Sequence, residues 1–309
     1  MSEVRSRKAM QTILLQTSDL RLLSSKCNNY KAMFTLNCKG RLLVAGKPLV
    51  MGIINVTPDS FYAGSRYEDN DALLQQVEQM LAHGADILDI GGQSTRPGSQ
   101  LLTGEEELAR VIPSIEAIHR RFPEAILSID TFYPRVAALA VAAGASMVND
   151  VSGGKDESMF TTVAALQVPY ICMHLKNELQ QLHQYPVYEN VVKEVLDYFI
   201  VKTAACKTAG IHDVIIDPGF GFDKTRQHNF ELLQQLPVFT LLEKPLLVGL
   251  SRKSTIYKTL GTTAAGALNG TTVLNTLALN NGAHILRVHD VKEAAEAVTL
   301  FMEYKAAAQ

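Results

Sequence analysis

Short apolar runs recur along this chain, and each ends in a polar residue. Met51-Gly-Ile-Ile54 runs into Asn55, Ile87-Leu88 into Asp89, Ile126-Leu-Ser-Ile129 into Asp130, and Met147-Val148 into Asn149-Asp150. Four further runs end in His174, Asp217, Ser251-Arg-Lys253 and Arg287-Val-His289. Unbroken apolar strands suit a parallel sheet covered on both faces, and helix-length stretches lie between them. Residues 71–83 repeat apolar positions at Leu73, Leu74, Val77, Met80 and Leu81, a helical spacing that Gly84 stops. The same reading predicts helices over 104–121, 134–143, 156–166, 190–209, 227–236, 263–280 and 291–304. Eight strands alternating with eight helices predict an α/β fold, a closed (β/α)8 TIM barrel. An open doubly wound sheet would carry a GxGxxG turn after its first strand, and Gly91-Gly-Gln-Ser-Thr-Arg-Pro-Gly98 lacks that spacing. Before the first barrel strand, residues 35–40 and 41–46 read as a β-hairpin turning at Lys39-Gly40, expected at the barrel floor. In such a barrel the chemistry gathers at the carboxyl ends of the strands.

Composition narrows the setting. With 309 residues, 47% of them hydrophobic, the chain can bury a large core, and nothing marks a second domain. A net charge of −2 gives no reason to expect nucleic acid, so an anionic substrate must meet a local cluster of Arg, Lys and His. No apolar run reaches the ~18 residues of a membrane span. Cys27, Cys38, Cys172 and Cys206 lack metal-ligand spacing and read as reduced, structural thiols. Residues 1–32 carry six basic residues against two acidic ones and no secretory apolar core. They read as an appendage to a single domain over 33–309. An over-long start with Met33 as initiator is preferred to a cleaved targeting peptide.

The candidate chemistry lies in the segments that leave the strands. Asn55 offers an amide oxygen to a hard cation such as Mg2+, which needs few protein ligands when a substrate phosphate supplies others; it would serve equally as a turn cap. Arg96, beside two glycines and a proline, has the fork geometry for a phosphate or carboxylate. Asp130 and Asp217 end different strands. With the amide of Asn149 they could hold a planar heterocycle rich in donors and acceptors, or they could cap helices at the barrel top. Lys253, Arg287 and His289 add cationic groups at strands seven and eight, where TIM barrels often bind phosphate. His83, His119, His183 and His228 read as solvated surface groups. Asp217-Pro-Gly-Phe-Gly-Phe-Asp223 runs on to Thr225 without the GxxxxGK spacing of a phosphate loop.

Five ordered motifs, Asn55-Val-Thr-Pro-Asp-Ser-Phe61, Gly91-Gly-Gln-Ser-Thr-Arg-Pro-Gly98, Asp217-Pro-Gly-Phe-Gly-Phe222, Ser251-Arg-Lys-Ser254 and Arg287-Val-His-Asp290, resemble the bacterial dihydropteroate synthase family. The likeness runs from about Thr35 to the last helix. It implies a cytoplasmic, homodimeric, Mg2+-dependent TIM barrel of folate synthesis. Such an enzyme joins 6-hydroxymethyl-7,8-dihydropterin diphosphate to 4-aminobenzoate, giving 7,8-dihydropteroate and diphosphate, and is the target of sulfonamides, which mimic 4-aminobenzoate. The resemblance assigns Asp130, Asn149, Asp217 and Lys253 to the pterin pocket, with Met173 as an apolar wall. It assigns Arg287, His289 and Asn55 to diphosphate and Mg2+, and Thr95, Arg96, Pro97, Phe222 and Ser251 to the surroundings of 4-aminobenzoate. Two departures stand out: Gln93, where the family often has glutamate, and Asp130-Thr-Phe-Tyr-Pro134, where it more often has serine and lysine after Asp-Thr. Gln93 leaves the loop contacts open. Two rival readings remain, a catalytically silent pterin-binding paralogue and a methyltetrahydrofolate–corrinoid methyltransferase domain, the latter opposed by Arg96-Pro97 and Ser251-Arg-Lys-Ser254.

Overall fold

The computed structural model describes residues 34–56, 66–93, 101–178 and 186–307, with side chains from residue 71 in the second stretch. The expected appendage, together with Cys27, His183 and the trio Thr95, Arg96 and Pro97, lies outside these residues.

The chain opens with the expected hairpin, β1 (Phe34–Cys38) antiparallel to β2 (Arg41–Ala45). Both turn residues, Lys39 (φ 55°) and Gly40 (φ 84°), are left-handed, which suits the twist of a two-residue hairpin turn. Eight parallel strands follow: β3 (Leu49–Asn55), β4 (Ile87–Gly91), β5 (Leu127–Asp130), β6 (Met147–Asp150), β7 (Tyr170–Met173), β8 (Val214–Asp217), β9 (Leu247–Val248) and β10 (Ile285–Val288). Their order is β8-β7-β6-β5-β4-β3-β10-β9. A parallel bridge between Ile216 and Leu246 joins the two ends, with the Ile216 N–H on the Pro245 carbonyl at 3.0 Å. The barrel is closed.

Helices fill the crossovers: α1 (Arg66–Ala82), α2 (Gly104–Arg121), α3 (Pro134–Ala143), α4 (Ser158–Leu166), α5 (Val191–Ala209), α6 (Arg226–Gln234), α7 (Ser254–Leu260), α8 (Leu268–Asn280) and α9 (Val291–Ala306). The best-read boundaries have strong local signals. Helix α2 starts at a Thr103–Glu106 capping box, and α3 starts on Pro134 and stops at Gly144. Helix α7 was not foreseen, since its two turns are too short for a periodic signal and Gly261, at φ 63°, ends it before α8 begins. A 3-10 helix, Leu236–Leu242, also replaces a plain turn after α6. No described helix is long and apolar enough to cross a membrane.

Strand alternation sorts the core into two shells. Odd-numbered positions of β3, β4, β6, β7, β8, β9 and β10 point inward, and Leu49, Met51, Ile87, Met147, Ile171, Ile215, Leu247 and Ile285 meet at the barrel floor with Ile126. Leu36, Cys38 and Ala45 of the hairpin close that floor from below. The opposite parity, including Val50, Leu88, Ile129, Val148, Cys172, Ile216 and Leu286, packs outward against the helices. Cys38, Cys172 and Cys206 are free thiols in these apolar surroundings. Burial pushes Cys38 and Cys206 up to about 12, so both stay protonated and unreactive at neutral pH.

Candidate active site

Moving up the inward-facing positions by two residues per step, the side chains change from mostly apolar to charged or strongly polar. Above Ile87 stands Asp89, above Ser128 stands Asp130, above Met147 stands Asn149, above Ile215 stands Asp217, and above Ile285 stands Arg287. Strand pairing sets Asp89 beside Ser128, Asp130 beside Asn149, and Met173 beside Asp217. The mouth of the barrel is therefore a ring of carboxylates, one amide and one guanidinium, with Met173 as an apolar wall.

Arg287 organises this ring. Its Nε donates to Asp89 Oδ2 at 2.6 Å and its Nη2 to Asp130 Oδ2 at 2.6 Å. Asn149 Nδ2 donates to the same Asp89 oxygen at 2.9 Å. Asp89 is wholly buried, and its other oxygen, Oδ1, has no protein partner. Burial is the largest influence on the Asp130 carboxyl and raises its pKa; Arg287 pulls the other way, and Asp89, Asp150 and Asp217 add to the rise. Asp217 is raised for the same first reason, while Lys253 and the Gly219 N–H, at 2.8 Å from its Oδ1, favour its charged form.

Lys253 enters from the segment after β9. Its ammonium lies 4.2 Å from the centroid of the Phe222 ring and donates to the Phe220 carbonyl. Burial lowers it to about 7, with Asp217 opposing, so an anion brought beside it would favour its charged form. Its stem passes over Gly221, where an added Cβ would stand 2.6 Å from Lys253 Cδ. The glycine-rich turn after β8 is thus shaped to admit this side chain. Phe222 packs on the cluster of Phe132, Val151, Met173 and Leu175 at the barrel mouth. Beneath the turn, the buried pair Asp223–Lys224 (3.2 Å) ties it to the segment after β7. Lys224 Nζ reaches the Gly219 carbonyl at 3.2 Å, and Asp223 Oδ2 accepts the N–H groups of Lys176 and Asn177 at 2.6 and 3.0 Å.

Ser251 and His289 face each other from neighbouring strand ends, Oγ to Nδ1 at 3.0 Å. Ser251 Oγ also accepts the His289 N–H at 3.1 Å, so this hydroxyl holds both the backbone and the ring of His289. Local desolvation, then Arg287, pushes His289 down to about 4, so it acts as a neutral hydrogen-bond donor and not as a third cation. Arg252 turns away from the mouth and holds Asp290 through two hydrogen bonds, 2.9 and 2.7 Å. Asn55 is exposed at the end of β3, on the inward parity, opposite Gly91 of β4, which in turn pairs with Asp130 of β5.

The structure brings Asp130, Asn149, Met173, Asp217, Phe222, Lys253, Arg287, Ser251 and His289 together at one mouth. Asp89 was missed as a site residue, although its place two residues beyond the floor residue Ile87 was a readable signal. Asp150, named beside Asn149 in the sequence, points outward instead. It accepts from Tyr170 Oη at 2.7 Å and from Ser152 and Gly154, bracing the segment after β6. His174 is buried against Tyr198 and is not a pocket group. His83 and His119 are exposed as expected, but His228 is not a free surface group. Its Nδ1 accepts the Thr225 N–H at 3.3 Å to complete a capping box, and its ring packs on Tyr188.

Comparison with known proteins agrees with this geometry. The family model for pterin binding enzymes matches residues 51–289. The dihydropteroate synthase of Escherichia coli strain K12 is 41% identical over 265 residues, covering 85% of this chain and 94% of that protein. Among solved structures, Xanthomonas albilineans dihydropteroate synthase with 4-aminobenzoic acid superposes with a TM-score of 0.82 at 41% identity, covering 88% of this chain and 98% of the other. The same enzyme in complex with 7,8-dihydropteroate gives 0.80 at 39% identity, covering 88% and 99%. A barrel whose mouth is built of carboxylates, an amide and two cations, matched along most of its length by these enzymes, places the chain in the dihydropteroate synthase family of pterin-binding enzymes.

Proposed function

We propose that this chain joins 6-hydroxymethyl-7,8-dihydropterin diphosphate to 4-aminobenzoate, releasing diphosphate and 7,8-dihydropteroate. The observation that carries this reading is the change of the inward-facing positions from an apolar floor to Asp89, Asp130, Asn149, Asp217 and Arg287 at the mouth. A pterin edge bears several N–H donors, and three buried carboxylates with one amide are acceptors that such an edge satisfies. Met173 and Phe222 supply the apolar surface for the ring.

In the reaction the methylene C–O bond breaks and diphosphate departs with the electron pair. The positive charge left on the pterin-methylene group is stabilised by the carboxylates of Asp130 and Asp217. The arylamine nitrogen then forms the new C–N bond and gives up a proton to solvent. Lys253, beside Asp217 in the pterin pocket, and His289 stand on the side from which diphosphate would depart; burial lowers the lysine's pKa, and an anion bound beside it would favour its charged form. Arg287, bound to two carboxylates through Nε and Nη2, acts first on the pterin pocket and only through its outer edge on diphosphate. Asn55 fits a single amide ligand to a Mg2+ held otherwise by diphosphate oxygens and water, and the ion would neutralise leaving-group charge. Ser251 and Phe222, with Thr95, Arg96 and Pro97, are assigned to 4-aminobenzoate.

The same reading includes a homodimer in the cytoplasm. Support for the dimer comes from an apolar stripe on two adjacent helices, Val273 and Leu277 on α8 and Leu300 and Tyr304 on α9, each pair four residues apart and 47–71% exposed.

The test is diphosphate release by the purified protein with the dihydropterin diphosphate and Mg2+, with and without 4-aminobenzoate, followed by chromatography for dihydropteroate. Dihydropteroate formed only when 4-aminobenzoate is present is the expected result. Tight pterin binding without product would replace this reading with a silent pterin-binding protein.

A further inference from the structure

A closed ring of contacts stands behind the Asp130 side of the pocket, built from residues that the reaction above does not use. Thr131 Oγ1 donates to Glu107 Oε2 at 2.8 Å and accepts the Tyr133 N–H at 3.2 Å. Tyr133 Oη donates to the Leu102 carbonyl at 2.8 Å. That carbonyl also accepts Gln93 Nε2 at 3.1 Å, while the Leu102 N–H donates to Gln93 Oε1 at 3.0 Å. Glu107 closes the ring by packing on Gly92, the residue before Gln93, where an added Cβ would stand 3.2 Å from its Cγ. The ring joins the chain leaving β4, the start of α2 and the chain leaving β5.

Two features set it apart from ordinary loop bonding. Glu107 is wholly buried on a helix face whose other buried members include Leu108, Val111, Ile115 and Ile118; no described cation forms a salt bridge with it, and its Oε1 has no protein partner. Arg110 favours its charged form only from beyond ion-pair distance, and a buried carboxyl with no direct counter-ion costs stability that an apolar residue would not, so packing alone does not account for it. Gln93 answers Leu102 as a strand neighbour would, donating and accepting at once. A carboxylate in that position has no donor and would set a second negative charge near Glu107. Gly92 leaves no room for the ring to slide, since a Cβ there would lie 2.9 Å from Val111 and 3.2 Å from Glu107.

We propose that Gln93 and Glu107 are positioning residues that lock the chains leaving β4 and β5 into one frame and so set where the Asp130 carboxylate stands. The inference rests on Asp130 belonging to the pterin pocket.

The experiment is a double-mutant cycle on the full chain, reading the dissociation constant of the dihydropterin diphosphate by calorimetry, with folding checked by circular dichroism. E107L should weaken binding about 10-fold, as expected for loss of one buried hydrogen bond. E107Q keeps a carbonyl acceptor for Thr131 and should recover most of that loss. In a D130N background E107L should add less than about twofold, because its effect passes through Asp130. T131V and Q93L break the same ring elsewhere and are read in the same cycle, which keeps the test intact if E107L does not fold. Losses that multiply in the D130N background, or an E107Q as weak as E107L, would overturn the inference. Normal pterin binding by D130N would strike a different target, the assignment of Asp130, and would remove the inference with it.

Discussion

A single guanidinium carries the electrostatics of the barrel mouth. Arg287 is bound to Asp89 and Asp130 at once, so removing it leaves two buried carboxylates facing each other without a counter-charge. R287A should cost about 3 kcal/mol of stability by the usual size of a broken buried pair. It should also weaken pterin and diphosphate binding together, with a much smaller change in the KM for 4-aminobenzoate. Chemical unfolding and substrate-by-substrate kinetics check this, and an equal loss for all three ligands would contradict the site map. Glu107 supplies a pH signature. Burial raises its carboxyl from 4.5 to about 7, with the Thr131 hydroxyl opposing. The native state therefore binds this proton more tightly than the unfolded chain, and the contribution to stability is complete below about pH 4.5 and lost as pH rises through 7. Glutamine has no such proton, so the melting temperature of E107Q should gain on that of the parent between pH 5 and 8. Calorimetric scans at several pH values would show the difference, E107Q minus parent, rising with pH; a constant difference would count against a buried titrating Glu107.

The segments between elements divide the work of holding these side chains. After β8, Gly219 (φ 72°) and Gly221 (φ 78°) take left-handed conformations, and each is hemmed in by a different kind of neighbour. A Cβ on Gly219 would come within 2.3 Å of the His174 carbonyl oxygen, which is backbone, whereas on Gly221 it would meet the flexible stem of Lys253. G219A should therefore lower thermal stability more than G221A. G221A should instead lower kcat/KM at least about 10-fold by displacing Lys253, since misplacing a single binding group is enough for that. The reverse ranking in paired melting and kinetic measurements would show that the turn does not position the lysine. Much of this element scale was legible in advance: the hairpin, α2 and α3 carry caps, prolines and glycines at their ends, and those signals are local. Helix α7 was hidden by its length, and His228 looked solvated because its capping role depends on a turn that the sequence does not display.

At the scale of the whole molecule, the barrel presents its chemistry at one end and an uncovered apolar stripe on its flank. Charged substitutions in that stripe, L277E on α8 or L300E on α9, should convert a dimer to a monomer in light scattering while leaving the barrel folded by circular dichroism. A monomeric parent protein would remove the stripe from the dimer argument. Closure of the barrel itself depends on a weak seam, the Ile216–Leu246 bridge beside the two-residue strand β9. The bidentate Arg252–Asp290 pair fastens the segment after β9 to the one after β10 near that seam.

By itself the sequence determined the strand count, the crossovers and the end of the barrel that carries chemistry, because apolar runs, caps and turn residues act over a few positions. It also marked most of the pocket through polar residues at strand ends. Only the tertiary structure decided how those groups share charge. Asp89 and Asp130 lie 198 and 157 residues from the arginine that binds them, so no local pattern could reveal that Arg287 is already engaged by both. The same holds for Ser251, His289 and the ring behind Asp130. Their partners come from separate strand ends or from the helix of a neighbouring crossover, and the register that brings them together is set by the packing of the entire barrel.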